Sequence, residues 1–349
     1  MINGGEKMKV LFIGGTGTIS SAITKQLVEK KWEVYLLNRG NRKERLPEEV
    51  NLLQTDINDE KHVCSLIEEL EFDVVADFIA FEPAHLERDY RIFKGKTKQF
   101  IFISSASAYQ TPLSDYRITE GTPLNNPYWQ YSRDKIACEE YLLKLYREKG
   151  FPITIIRPSH TYDEHSIPLG VHGSKGTWQV AKRMLENKPV IIHGDGTSLW
   201  TMTHNSDFAR GFIGLMGNIH AIGESIHITS DETLTWNQIY EEIAAALGVE
   251  LKAIHVSSEF LDACSNEDYR GGLLGDKANS VVFDNSKLKR LVPDFVATTR
   301  FDQGIRQTID FILAHPELQI LDEKFDNWCD SVVNALDTAI NTIYSSYSY

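Results

Sequence analysis

Several features are scarce or missing in these 349 residues. Cysteine occurs four times, at Cys64, Cys138, Cys264 and Cys329, without paired spacing. That argues against a disulfide framework and a thiolate metal site, and it points to reduced thiols in the cytoplasm. No apolar run reaches the ~18 residues that a membrane-spanning helix needs, and no cleavable signal pattern opens the chain. Basic charge is in deficit: 36 Lys and Arg stand against 49 Asp and Glu, a net charge of −13. Affinity for nucleic acid comes largely from cationic contacts to phosphate, so this balance disfavours such a partner. No linker rich in Pro, Gly or Ser, no low-complexity tract and no repeat divides the chain. Of the eleven histidines, His160, His165 and His172 cluster in a loop without zinc-like spacing, so no metal is expected. The length suffices for a large and a smaller lobe, each with a core. Met1–Lys7 is polar, and the fold is expected to start at Met8.

What is present begins with Lys9-Val10-Leu11-Phe12-Ile13, an apolar, β-branched run expected to be a buried parallel strand. Gly14-Gly15-Thr16-Gly17-Thr18-Ile19-Ser20 follows, then the helical spacing of Ala22, Ile23, Gln26 and Leu27. A strand, a glycine turn and a helix in that order make a candidate pyrophosphate cradle, with the anion at the helix N-terminus. Ser20 replaces the third glycine and is still small enough for close packing. The next strand, Glu33–Leu37, runs into Asn38-Arg39-Gly40-Asn41-Arg42-Lys43. The acidic residue that would bind the ribose 2′-hydroxyl of NAD is missing there. Arg39 and Arg42 instead suit a 2′-phosphate, so NADP is favoured over NAD.

Asn51–Gln54, Phe72–Asp77 and Gln99–Ile103 read as further strands, with helical stretches from His62 to Leu70 and from Ala84 to Phe93 between them. Alternation of this kind implies an α/β fold: a Rossmann-type doubly wound parallel sheet, with ligands outside the carboxyl ends of the strands. The residues just past those ends are candidates for cofactor contact: Asp56 and Ile57, with Asp56 facing an adenine amino group; then Phe78, Ile79 and Ala80; then Ser104. The last strand continues as Ser104-Ser105-Ala106-Ser107-Ala108-Tyr109.

Tyr131 and Lys135 lie four residues apart in a segment that continues as a helix to Lys149, hence on one helix face. An ammonium beside a phenol lowers its pKa and makes it a usable acid–base. Alone the pair is a common coincidence. Together with the upstream glycine turn and strand-end serines, and with Ile155-Ile156-Arg157-Pro158 downstream, it resembles the extended short-chain dehydrogenase/reductase family, of NAD(P)-dependent epimerase/dehydratase type. The resemblance covers roughly residues 8–315.

It implies Tyr131 as the acid–base, Lys135 as the residue that holds the nicotinamide ribose, and Ser105 as a hydrogen-bond donor to the reacting oxygen. Ser107 is the runner-up for that role and a candidate substrate contact. Pro158 and His160 would adjoin the cofactor, and His160 also the substrate. Dehydratases of the family carry an Asp-Glu pair after the Ser/Thr. Here Ala106 and Ser107 stand there, which favours epimerisation or oxidoreduction of a sugar-like carbinol or ketone. Lys188–Gly196 resembles the strand and turn of the nucleotide-binding lobe, but Trp200 stands where nucleotide-sugar enzymes place an arginine. Trp200 is thus a candidate substrate contact, as is Arg270. The implied layout is a Rossmann domain over 8–160, to which later segments add strands, a mainly substrate-binding lobe over 161–315 and an amphipathic helical extension over 316–349. A homodimer is expected by the same resemblance. The alternative reading is a non-catalytic dinucleotide-binding regulator or RNA-associated relative; the intact Tyr131 and Lys135 and the negative charge weigh against it.

Overall fold

The computed structural model describes residues 7–40 and 47–347. These fall into two compact units, each assembled from three stretches of chain: residues 1–161, 203–231 and 283–298 in the first, and 162–202, 232–282 and 299–349 in the second.

The first unit is built on seven parallel strands. β1 is Lys9–Ile13, β2 Glu33–Asn38, β3 Asn51–Gln54, β4 Phe72–Asp77 and β5 Thr97–Ile103. A sixth strand, Ile153–Pro158, and a seventh, Ser225–Ile228, complete the sheet. From one edge the order is seventh, sixth, β5, β4, β1, β2, β3. The order reverses between β1 and β4, the point at which doubly wound sheets open a crevice at their strand ends. The seventh strand pairs in register with the sixth, from Ser225 beside Ile155 to Ile228 beside Pro158. That pairing brings the chain back to this unit long after residue 161.

The central strands are apolar on both faces because helices cover both. On one side α1 (Thr18–Glu29) and the helix Asn205–Leu215 pack together over Val10, Phe12, Val74 and Ile101. On the other, α2 (Glu60–Leu66), α3 (Pro83–Phe93) and α4 (Gln130–Lys149) belong with Leu11, Ile13, Val75 and Phe100. The helix Asn205–Leu215 is capped by His204, which accepts a hydrogen bond from Ser206 N.

The second unit pairs Val190–His193 with Ala253–Val256 in parallel. Its core is aromatic: Trp200 lies 5.6 Å from Trp236, and Tyr240 is fully buried. The long C-terminal helix, Glu323–Tyr347, buries Phe325, Cys329 and Val332. Beyond Val332 its apolar stripe loses cover: Leu336 is half-buried, and Ile340 and Tyr344 are exposed. Self-packing therefore explains only the first half of the amphipathic extension.

Candidate active site

The glycine turn after β1 has the backbone its sequence demands. Gly14 and Gly15 have φ of 99° and 86°, in the left-handed half of the map that side chains disfavour. A Cβ on Gly15 would also lie 2.7 Å from a methyl of Leu36. Gly17 precedes α1, and its N–H donates to Ser20 Oγ at 3.0 Å. The first turn of α1 carries no acidic side chain, so its positive end stays available to an anion. A cavity of about 430 Å³ adjoins this turn, lined among others by Gly14, Thr16, Asn38, Arg39, Asp56, Ile57 and Ile79. The sequence had singled out all seven. Asn38 serves the turn itself: its amide donates to Gly14 O at 3.1 Å and accepts from Gly40 N at 2.8 Å. No carboxylate takes its place at the end of β2. Arg42 lies outside the described residues. A glycine cradle and an uncompensated helix N-terminus beside a cavity fit a dinucleotide.

The turn after β4 is held by a buried carboxylate. Asp77 Oδ1 accepts from Ile79 N at 2.5 Å and from Ala80 N at 2.8 Å. Phe78 points into the core, edge-on to Phe12 at 5.2 Å, and Ala80 is buried. Lys135, 2% exposed, donates from Nζ to Ala80 O and to Ile103 O, both at 2.7 Å. It therefore ties α4 to the ends of β4 and β5 at once. Burial pushes its amine down to about 8. Tyr131 stands one turn earlier, its ring centre 5.7 Å from Lys135 Nζ, braced by Trp129 at 4.9 Å.

Ser105 ends the extended stretch after β5 and caps a short 3₁₀ turn, Ala106–Ala108. Its hydroxyl meets Ser107 Oγ at 2.9 Å, and Ser132 Oγ donates to Ser107 Oγ at 2.8 Å. A chain of three hydroxyls thus links Ser105 to the residue beside Tyr131. Asn126, also buried, donates to Ser107 O at 2.9 Å and accepts from Tyr128 N and Trp129 N, each at 3.1 Å.

Some sequence candidates take other roles. Ser107 is buried inside the hydroxyl chain and orients Ser105; little of it is left to face a substrate. The Ser104 hydroxyl turns away to Glu139 at 2.5 Å, where Arg157 also binds. Trp200 is 3% exposed and packed on Trp236, which makes it a core residue of the second unit. Pro158 ends the sixth strand, and His160 is half-buried just past it. Arg270 is exposed and opens a π-helical turn, Arg270–Lys277.

Sequence reasoning missed Thr55, Asn58, His85 and Arg88 in the cavity lining, and it missed Ser132 and Asn126. The Asn-Pro step at Asn126 was a readable turn signal. Arg88 and its neighbour Asp89 had a fainter one. Leu86, Asp89 and Phe93 recur at helical spacing, which sets an acid on the buried face of α3.

Among the described residues no helix is long and apolar enough to cross a membrane, and no group of three or more His, Cys, Asp or Glu could hold a metal ion. Comparison with known proteins agrees with this geometry. The 2′-dehydrokanamycin reductase of Streptomyces kanamyceticus is 24% identical over 290 residues, 83% of this chain and 80% of that protein. An uncharacterized UDP-glucose epimerase of Bacillus subtilis is 28% identical over 263 residues, 64% of this chain and 78% of that protein. The UDP-glucuronic acid 4-epimerase of Bacillus cereus, solved in complex with NAD, shares the fold with a TM-score of 0.70 at 20% identity, over 91% of this chain and all of that one. The model of the NAD dependent epimerase/dehydratase family matches residues 10–229, and the chain belongs to that family: it is an enzyme of the short-chain dehydrogenase/reductase type.

Proposed function

We propose that the protein is an NADP-linked oxidoreductase or epimerase in which Tyr131 is the acid–base, Lys135 its charged support and Ser105 the donor to the reacting oxygen. The observation that carries this reading is the double anchorage of Lys135 Nζ on Ala80 O and Ile103 O, one turn below Tyr131. Two of its three N–H donors hold the ends of β4 and β5, and the third is left for the ribose. When bound, the nicotinamide would supply or accept the hydride. Tyr131 then moves a proton to or from the substrate oxygen, helped by the neighbouring ammonium. Ser105, steadied through Ser107 and Ser132, hydrogen-bonds that same oxygen. Ala106 and Ser107, where a dehydratase has its carboxylates, leave no second acid–base there to expel water.

The preference for NADP rests on Arg39 at the cavity rim and on Asn38, whose side chain belongs to the turn. Four free cysteines suit a reducing cytoplasm, and a homodimer is the assembly proposed. Tyr131→Phe is expected to lower kcat by about 10²- to 10⁴-fold while the Kd for NADPH stays within about twofold. Unchanged turnover would remove Tyr131 from the mechanism.

A second reading of the substrate is favoured by charge. The second unit carries 21 Asp and Glu against 10 Lys and Arg, a net −11, whereas the first carries 28 against 26. A field of that sign attracts cations and repels a diphosphate. It supports an amine-bearing sugar ketone, the class that the name of the Streptomyces relative implies. Steady-state kinetics should give an aminated keto-sugar a KM at least about tenfold below that of a nucleoside-diphosphate keto-sugar. The opposite order would overturn the assignment.

A further inference from the structure

Two carboxylates meet at the end of β4 in a way the hydride-transfer reading does not use. Asp77 and Asp89 are both fully buried. Asp89 Oδ1 accepts from Arg88 Nε at 2.9 Å and from Arg88 Nη2 at 2.8 Å. The same Nη2 is 3.7 Å from Asp77 Oδ2, while Arg88 Nη1 donates to Asn58 Oδ1 at 2.8 Å. Asp77 Oδ1 is held by the backbone N–H groups of Ile79 and Ala80. That leaves one oxygen on each acid. Among the described residues neither Asp77 Oδ2 nor Asp89 Oδ2 receives a hydrogen bond from any donor. Arg88 Nη2 thus lies against both acids, 2.8 Å from Asp89 Oδ1 and 3.7 Å from Asp77 Oδ2, and brings the two buried side chains to one guanidinium.

Two ionised carboxylates are acceptors only and repel each other in a dry site. One proton between them resolves both problems, because it turns one orphan oxygen into a donor to the other. We propose that Asp77 and Asp89 share a single proton, carried by Asp89, and that this pair is a positioning device for the Phe78–Ala80 turn and through it for Lys135. The proposal rests on Lys135 being part of the catalytic machinery.

Several groups set the charge here. Arg88 lies on α3 beside the pair, Lys135 and Cys138 face Asp77 from α4, Glu139 acts on Lys135, and Glu60 feels Arg88 from α2. Burial and the charge of Asp77 push Asp89 well above the usual carboxylate range, against the pull of Arg88. With Asp89 neutral, Asp77 carries the one negative charge of the pair. Arg88 balances that charge, and the charge of Lys135 is left for Tyr131 and the cofactor. A second ionised acid would cancel it. Asp77 also fixes the Ala80 carbonyl that Lys135 grips, because the N–H of that residue is bound to Asp77 Oδ1.

The test reads the proton without turnover. In wild-type protein with ¹³C-carboxyl aspartate, followed by NMR, one buried carboxyl should keep its protonated shift from pH 5 to 8. That signal should vanish in Asp89→Asn. If every aspartate is ionised at neutral pH, the shared proton is wrong whatever the enzyme does. The positioning role is read in the pH profile of kcat/KM. Removing the charge of Asp77 lowers the pKa of Lys135, so Asp77→Asn should move the alkaline limb down by about one pH unit and lower kcat/KM at least tenfold. Asp89→Asn replaces a neutral donor by a neutral donor, so it should lower kcat/KM less and leave the limb in place. Equal shifts in the two variants, or none in Asp77→Asn, would overturn the role. Should a variant fail to fold, the wild-type carboxyl titration still decides on the proton.

Discussion

The two units solve the burial of charge differently. In the first, buried charged side chains sit at strand ends: Lys135 on two carbonyls, Asp77 under a turn, Arg157 against Glu139. In the second, the buried cation Arg183 holds elements together. Its side chain is 1% exposed and reaches Asp326 Oδ1 at 2.6 Å, Asp330 Oδ1 at 2.8 Å and Pro189 O at 2.9 Å, so it anchors the C-terminal helix. The first unit is close to neutral, and the second holds most of the net negative charge. The lesson is that a buried charge is not by itself a mark of function. What it holds decides: a backbone turn beside reactive groups in one unit, a helix in the other.

The largest test of this contrast is Gly15→Val. A β-branched residue at φ 86°, against Leu36, strains the turn beside the dinucleotide cleft. NADPH affinity should fall by about a hundredfold or more, equivalent to ~2.7 kcal/mol, as measured by fluorescence titration. A retained affinity would separate the glycine turn from cofactor binding. Next comes Arg183→Leu. It takes one of two cationic partners from Asp326 and Asp330, which keep Lys188 and are themselves partly exposed, so the loss should be about 2 kcal/mol, below the 3–5 of a fully buried pair. Urea unfolding should show it, with NADPH affinity unchanged. A large loss of cofactor binding would mean that the anchor serves the site after all. The smallest effect is expected from Arg39→Ala: about tenfold weaker NADPH binding, ~1.4 kcal/mol, with NADH unaffected. An equal loss for both cofactors would remove the 2′-phosphate reading.

Legibility followed the same division. The first five strands, α1 and the Tyr131–Lys135 helix could be read because strand burial and helix spacing are local patterns. The turn Gly14–Gly17 could be read because positive φ restricts the residues allowed there. The partners of Ser105 could not be read: its hydroxyl meets Ser107, to which Ser132 donates from another element. The neighbour of Trp200 could not be read either, because its place in the sequence says nothing of Trp236 beside it. Asp77 and Asp89 sat in plain view as two unrelated acids, one ending a strand and one within a helix.

By itself, then, the sequence determined the doubly wound sheet, the dinucleotide cofactor class and the helix that carries Tyr131 and Lys135, since strands, turns and helix faces are written in local patterns. The tertiary structure alone decided which serine supports which, that the Trp200 ring is core, that the C-terminal helix buries Phe325, Cys329 and Val332, and that two acids distant in sequence lie against one guanidinium. Those outcomes depend on which surfaces the chain brings together and dries. Burial changes what a carboxyl, an amine or a ring can do, and no local pattern records it.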